Sequence, residues 1–280
     1  MPEVQKIARQ PFTFGGVARF ARAPVGRLFA VAAVFAVISG IIVAWLVASA
    51  VAPVLDEAIS KLPATGAIEG GKLVWPEQTS RLLAANPFFS IEVDLDDAPM
   101  ESAPVDFSVQ IRMNELMVRS ILGLGKVPYP PRNDVELNKT ALMPVWGAWR
   151  APLLLALIPG TAVMLMLLWA LLGALYSVVP VAADAIFGRG IGLFPGWKLA
   201  VAAQLPGSLI MAFALALYST GQISLVFVLV MFLAHFVPTF SYLLVSPFFV
   251  PAAEKLRKEK KENPFDREGK RKRKAKNPFS

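Results

Sequence analysis

The residues best suited to chemistry are the carboxylates Asp94, Asp96 and Asp97, the densest acidic cluster of the sequence. Such clusters can bind Ca²⁺, but an EF-hand loop needs a glycine and a later glutamate at fixed positions, and here no glycine follows. Asp94 and Asp96 share one face of an extended chain, so a pair of catalytic carboxylates is the second option. The sequence supplies no partner for such a pair. We therefore expect all three on the surface of an outer domain, without a metal.

Cysteine and histidine usage excludes several classes of enzyme. The 280 residues include no cysteine and one histidine. Disulfides, thiolate metal sites, a cysteine nucleophile and a histidine-based triad are therefore excluded within one chain. We expect a protein that is not an enzyme and that uses no cofactor.

Three residues inside apolar stretches are candidates for an intramembrane role. His235 and Gln204 are polar, and such groups are functional candidates by default in a membrane. Pro206 lacks a backbone donor and can kink a helix or serve as a hinge. We expect neutral His235 to hydrogen-bond between helices. The alternatives are a proton relay or a polar path through the last three helices, as in a transporter subunit.

The end of the chain carries the run Lys270, Arg271, Lys272, Arg273 and Lys274. A basic segment beside a membrane is attracted to anionic lipid by about 1 kcal/mol per residue near the surface. The same charge also attracts nucleic acid, which we do not expect as a partner here. A topology anchor without a specific ligand is the simplest interpretation, with lipid or a protein partner as the functional ones.

Four long apolar segments must position these residues. They are 28–55, 151–179, 199–218 and 223–250, and none contains a charged residue. About 20 apolar residues cross a bilayer as a helix, so each segment is long enough. A cleaved signal peptide has a shorter apolar region, which favours an uncleaved anchor for segment 28–55. The fold class predicted is a bundle of four transmembrane helices.

The basic residues predict the orientation of the helices. Residues 1–27 form a basic leader with five Lys/Arg, and residues 251–280 form a polybasic tail with twelve. Basic flanks stay in the cytoplasm, and both ends do so only if the number of spans is even. Four spans satisfy this condition. Residues 56–150 are then extracytoplasmic, and the protein belongs to the bacterial inner membrane.

Residues 56–150 have the pattern of a small β-rich (α+β) domain inserted between helices 1 and 2. Gly70-Gly71 predicts a hairpin over 67–75, and alternating apolar residues predict strands over 88–95 and 107–113. Asn114-Glu115 turns the chain into a further strand over 116–122. Segment 81–85 is compatible with a short helix. At the end of the domain, Trp146 and Trp149 are suited to the membrane interface, where Arg150 can pair with lipid phosphate.

Two motifs give this layout a family resemblance. Both motifs resemble segments of the bacterial DUF1189 membrane proteins. IEGGKL at 68–73 is similar to a glycine hairpin of that family, and WKLAVAAQLP at 197–206 is similar to its basic-apolar-proline segment. The second pattern is shared loosely with Yip1-type proteins. The arrangement of spans and inserted domain resembles that family over most of the chain, whereas the long Lys/Arg tail is a departure from it. The resemblance implies no enzymatic activity.

The hypothesis from sequence is a non-enzymatic membrane protein whose outer domain binds a partner or senses the envelope. Its tail would contact anionic lipid or a partner, and a protein partner or a homo-oligomer is expected. The first alternative is a transporter or permease subunit with Gln204, Pro206 and His235 along its path. The second is an envelope enzyme that uses Asp94 or Asp96.

Overall fold

The computed structural model describes residues 10–95, 105–132 and 134–250. Several residues named above lie outside the described residues: Asp96, Asp97, Lys270, Arg271, Lys272, Arg273 and Lys274.

Four helical stretches of the described chain are long and apolar enough to cross a membrane, as the apolar segments predicted. They are Val25–Ser60, Lys139–Ile186, Leu193–Ser219 and Leu225–Phe249. Length and composition therefore make the chain compatible with a multi-pass membrane protein.

These stretches are built from helices of very different length. The helices are α1 (Phe14–Phe20), α2 (Val25–Leu46), α3 (Ala52–Ser60), α4 (Lys139–Tyr176), α5 (Val178–Phe187), α6 (Leu193–Ser219), α7 (Leu225–Ala234) and α8 (Phe236–Val245). Short 3₁₀ turns cover Gln10–Phe12 and Ser246–Phe249, and a π-helical segment, Val47–Val51, joins α2 to α3. The first apolar stretch thus changes its helical winding before it ends.

Helix α4 begins at Lys139, earlier than the predicted start at 151. The Asn138 side chain explains this start, because its Oδ1 accepts the backbone N–H of Ala141 at 2.8 Å. Asparagine is among the preferred N-cap residues, since it satisfies an otherwise orphan donor of the first turn. Trp146 and Arg150 consequently lie on the helix.

The last apolar stretch is interrupted between α7 and α8, at His235. Pro238 accounts for the interruption, because it has no N–H to donate to the carbonyl of Ala234 and its ring crowds that carbonyl. Pro159 and Pro206 also lie in apolar helices, but α4 and α6 continue through them.

Eight strands follow α3 in the described chain: β1 (Ala67–Glu69), β2 (Lys72–Val74), β3 (Arg81–Ala85), β4 (Phe89–Asp94), β5 (Phe107–Arg112), β6 (Glu115–Ser120), β7 (Gly123–Pro128) and β8 (Val135–Glu136). They form a three-stranded sheet in the order β2-β1-β8 and a five-stranded sheet in the order β3-β4-β5-β6-β7. All neighbours are antiparallel except β4 and β5, which are parallel.

The predicted glycine hairpin is confirmed. β1 and β2 pair antiparallel, with Glu69 opposite Lys72. Gly70 and Gly71 have φ of 54° and 80°, the left-handed values that a two-residue turn of this type needs at both positions. The strands predicted around 88–95, 107–113 and 116–122 are also present as β4, β5 and β6.

The helix considered for 81–85 was wrong, because these residues form strand β3. Arg81 pairs with Val93 and Ala85 with Ser90, with a register shift between Leu82 and Ala84. A segment of five residues is too short to sustain an isolated helix, whereas β4 offers it a ladder of hydrogen bonds.

The chain divides into two compact units. The first is drawn from Met1–Phe35, Met164–Ile210 and Leu233–Ser280, and the second from Ala36–Val163 and Met211–Phe232. In the second unit, α3 packs against β3 and β4 through a shared apolar core. Its buried members are Val54, Ala58, Leu62, Ile68, Leu73, Leu83, Ala84, Ile91, Val93, Ile111 and Tyr129.

In the first unit, part of the predicted basic leader is a helix that is buried on one side. Thr13 caps α1, because its Oγ1 accepts the Gly16 N–H at 3.0 Å. Val17 and Phe20 are at most 1% exposed, and the Phe14 ring lies 4.9 Å from that of Tyr242. The leader therefore contributes packing as well as charge.

Candidate functional site

The polar residues of β4 and β5 face each other across the parallel pair. Glu92 stands opposite Gln110, and Asp94 opposite Arg112. Gln110 Nε2 donates to Glu92 Oε1 at 2.7 Å, and Arg112 Nη2 lies 2.8 Å from Asp94 Oδ2. The alternation of β4 predicted a solvated polar face, but Glu92 and Asp94 are only 1% and 3% exposed.

Asp94 is therefore not the surface residue expected from the sequence. Its carboxylate is paired with Arg112 and lies near Ser80 Oγ, at 3.5 Å. A buried carboxylate that is already paired has little freedom to act as a base or to bind a metal. Ser90 Oγ and Gln110 Oε1, both buried, have no hydrogen-bond partner within the part of the chain that the structure describes.

Asp56 on α3 joins two residues of α4. It accepts a hydrogen bond from Trp146 Nε1 at 2.6 Å, and its other carboxylate oxygen lies 2.6 Å from Arg150 Nη1. Arg150 was expected to meet lipid phosphate, but in this structure its charge is paired with Asp56. Trp149, in contrast, is 59% exposed, which fits an interfacial side chain.

Gln204 hydrogen-bonds within a closely packed pair of helices. Its Nε2 donates to the carbonyls of Trp169 and Ala200, each at 3.1 Å. Most residues around it on α6 are buried. Those with only 0–2% of their surface exposed are Leu199, Ala200, Val201, Ala202, Ala203 and Leu205. The bond to Trp169 connects α6 to α4, whereas the bond to Ala200 lies within α6. The geometry of Gln204 is therefore that of a structural polar group.

His235 and Pro206 lie on either side of a close helix approach. Gly207 follows Pro206 on α6, and a Cβ added there would collide with the backbone carbonyl of His235 and lie 2.9 Å from Thr239 Oγ1. Only glycine allows this distance, as at many small-residue contacts between membrane helices. His235 itself is half-buried at the start of α8. The backbone of His235, rather than a proton-carrying ring, makes this contact.

The second unit contains an apolar pocket of about 380 Å³. Three parts of that unit form it: the π-helical segment with the end of α2, the beginnings of β4 and β5, and the end of α6 with the beginning of α7. The lining residues are Leu46, Val47, Ala50, Val51, Phe88, Phe89, Phe107, Leu215, Tyr218, Leu225 and Val228. We refer to it as the π-segment pocket.

Two hydrogen bonds fix the walls of the π-segment pocket. Tyr218 OH donates to Asp106 Oδ2 at 2.7 Å, which ties α6 to the start of β5. Asn86 Nδ2 donates to the Ala50 carbonyl at 2.6 Å, and its Oδ1 accepts the N–H groups of Phe88 and Phe89. The Phe88 ring meets the Tyr218 ring edge-on at 4.9 Å. The polar atoms of the walls are thus engaged with one another.

No family model matches the chain, and no curated protein or solved structure matches it either.

Sequence reasoning missed the π-segment pocket altogether. The sequence Asn86-Pro87-Phe88, beside the pocket, did carry a local signal for a turn. An asparagine before a proline favours a turn in which the asparagine side chain hydrogen-bonds to the backbone that follows. Tyr218 and Asp106 are 112 positions apart, and no local pattern connects them. The pocket does not include the sequence candidates Gln204, Pro206, His235 and Asp94 among its described lining residues.

Proposed function

We propose that the chain is a non-enzymatic, multi-pass protein of the bacterial cytoplasmic membrane whose β-rich domain binds a polypeptide partner. Both termini would lie in the cytoplasm, with the β-rich domain on the outer side. The four long apolar helices and the basic flanks at both ends support this arrangement. The basic run 270–274 would contact anionic lipid. Membership of a DUF1189-like family stays a prediction.

The observation that carries the proposed function is the open edge of β7. All six residues of this strand are exposed, and β6 is its only neighbour in the described sheet. The turn before it and the strand itself present apolar side chains: Ile121, Leu122, Leu124 and Val127 are 54–73% exposed. In soluble proteins, the exposed edge strands of sheets are usually protected by charged residues or covered by another segment. An apolar open edge therefore indicates a docking surface.

An extended polypeptide suits this edge better than lipid does. An edge strand presents unpaired N–H and C=O groups, which a hydrocarbon cannot satisfy and an added strand can. The turn joins Ser120 to Gly123, which are opposite each other. Because hydrogen bonds alternate along an antiparallel pair, the N–H of Lys126, three positions after Gly123, points to the open edge.

Photo-crosslinking in cells tests the proposed docking edge. A benzophenone amino acid replaces Leu124 in the full chain, and Lys126→Pro is added to remove the outward N–H. Lys126→Ala is the matched control, since it loses the same side chain and its 2.8 Å ion pair with Glu115 but keeps the N–H. We expect an adduct of defined mass that disappears with Lys126→Pro and persists with Lys126→Ala.

The outcomes separate the possible partners. An adduct at twice the mass of the chain identifies a second copy, and one of another mass identifies a different protein. An adduct of equal yield in both variants, or none at all, would contradict docking by strand addition.

The transporter alternative draws no support from the candidate residues. Gln204 is hydrogen-bonded to backbone carbonyls in close packing. At Gly207, the backbone of α6 approaches the backbone carbonyl of His235 and leaves no space for a side chain. The enzyme alternative loses Asp94 as a free carboxylate because Arg112 pairs with it. Asp96 lies outside the described residues.

A further inference from the structure

We infer that the π-segment pocket binds one hydrocarbon chain of a lipid or fatty acid. The inference goes beyond the proposed function, and it rests on the membrane placement proposed above.

The size and lining of the pocket fit such a chain. Its volume of about 380 Å³ lies within the range of ligand pockets, roughly 300–1,000 Å³. Apolar side chains supply almost all of the surface, and the phenyl rings of Phe88, Phe89 and Phe107 form one wall. An apolar molecule in this pocket gains dispersion contacts with these side chains that an empty space does not supply.

The hydrogen bonds of the walls exclude a polar ligand. The Tyr218 hydroxyl is the one side-chain polar group among the described lining residues, and its proton is donated to Asp106. The Ala50 carbonyl is held by Asn86. A ligand with polar atoms would lose its hydration in this pocket without finding partners, whereas a hydrocarbon chain loses nothing.

The π-helical segment provides an independent argument for a site. It contributes Val47, Ala50 and Val51 to the lining. A π-helical turn is rare, and where it occurs it often marks a functional site, because the regular hydrogen-bond ladder is given up there. The chain around it is apolar enough to lie in lipid, so hydrocarbon chains would surround the pocket at high concentration.

Photo-labelling of the full chain in lipid nanodiscs tests the inference. The probes are palmitic acid and a phosphatidylcholine, each with a diazirine in its acyl chain, and labelled peptides are located by mass spectrometry. We expect saturable labelling of the Phe88, Phe107 and Leu215 peptides that excess unlabelled palmitic acid removes. The two probes distinguish a free fatty acid from a phospholipid chain.

Substitutions at the pocket provide the decisive comparison. Ala50→Phe places a ring in the cavity, and we expect labelling there to fall about tenfold, because overpacking leaves no space for the chain. Ser49→Phe adds the same ring to an exposed neighbour and should leave labelling unchanged. Leu215→Trp, at a half-buried position, blocks the pocket from α6 if Ala50→Phe does not fold.

Labelling that does not saturate, or that is equal in Ala50→Phe and Ser49→Phe, would overturn the inference. Such a result would leave crosslinking at β7 unaffected, so the two proposals fail separately.

Discussion

Asp94 and Arg112 stand directly opposite each other at the ends of two parallel strands and form an ion pair of 2.8 Å. Their side chains are 3% and 19% exposed. The residue that the sequence offered as a surface carboxylate is therefore one half of a buried pair that closes the end of the β4–β5 ladder.

Breaking that pair should destabilise the β-rich domain. Asp94→Asn leaves the Arg112 charge in a poorly solvated site, and removal of one partner of a buried pair typically costs about 3–5 kcal/mol. We expect a clear fall in the melting temperature of the full chain in detergent. Glu77→Gln is the control, because it breaks an ion pair with Arg81 that is more than 40% exposed and should cost less than about 1 kcal/mol. Equal losses in the two variants would contradict the structural role.

Tyr129 should make the domain sensitive to alkali. Burial raises its pKa from 10.0 to about 12, and the charge of Glu115 adds to the shift. The protonated hydroxyl donates to the Arg112 carbonyl at 2.9 Å. The unfolded chain releases this proton first, so stability is complete below pH 10 and is lost as the pH rises towards 12. Two pKa units correspond to about 2–3 kcal/mol.

Denaturant unfolding at pH 9 and at pH 11.5 measures this effect. Tyr129→Phe is expected to be less stable at the lower pH by about 1 kcal/mol, the typical value of one hydrogen bond, and to lose less stability on going to the higher pH. An identical pH response in the two proteins would show that other groups control it.

Gly207 should tolerate no side chain. Gly207→Ala forces a methyl group against the His235 carbonyl, so the two helices must separate, and we expect a lower melting temperature. Gly160→Ala is the control, since an added Cβ there meets nothing within 4 Å and alanine favours the helix by up to about 1 kcal/mol. A Gly207→Ala protein as stable as the Gly160→Ala protein would be inconsistent with the close approach.

The orientation of the chain can be measured without background, because it contains no cysteine. Leu122→Cys places a thiol on the exposed turn before β7, and Ala185→Cys places one at an exposed position of α5. We expect a membrane-impermeant maleimide to label the first in intact spheroplasts and the second only after permeabilisation. The opposite pattern would reverse the proposed topology.

Local patterns were sufficient for the elements whose signal is contained in a few neighbouring residues. The four apolar stretches follow from composition, because hydrocarbon tolerates no unpaired charge over the length of a span. The turn at Gly70-Gly71 follows from the backbone conformation that glycine permits, and β4 and β5 follow from their alternation. Segment 81–85 failed because its structure depends on pairing with β4, which is not a local property.

The sequence by itself determined that the chain has four apolar helices, a β-rich segment and basic flanks, since each of these is a property of consecutive residues. Only the tertiary structure decided which polar groups pair with one another. Arg112 pairs with Asp94, Arg150 with Asp56 and Tyr218 with Asp106, and each partner lies at least 18 positions away. The π-segment pocket is likewise a product of distant segments, because a cavity exists only where separate elements meet and leave space between them.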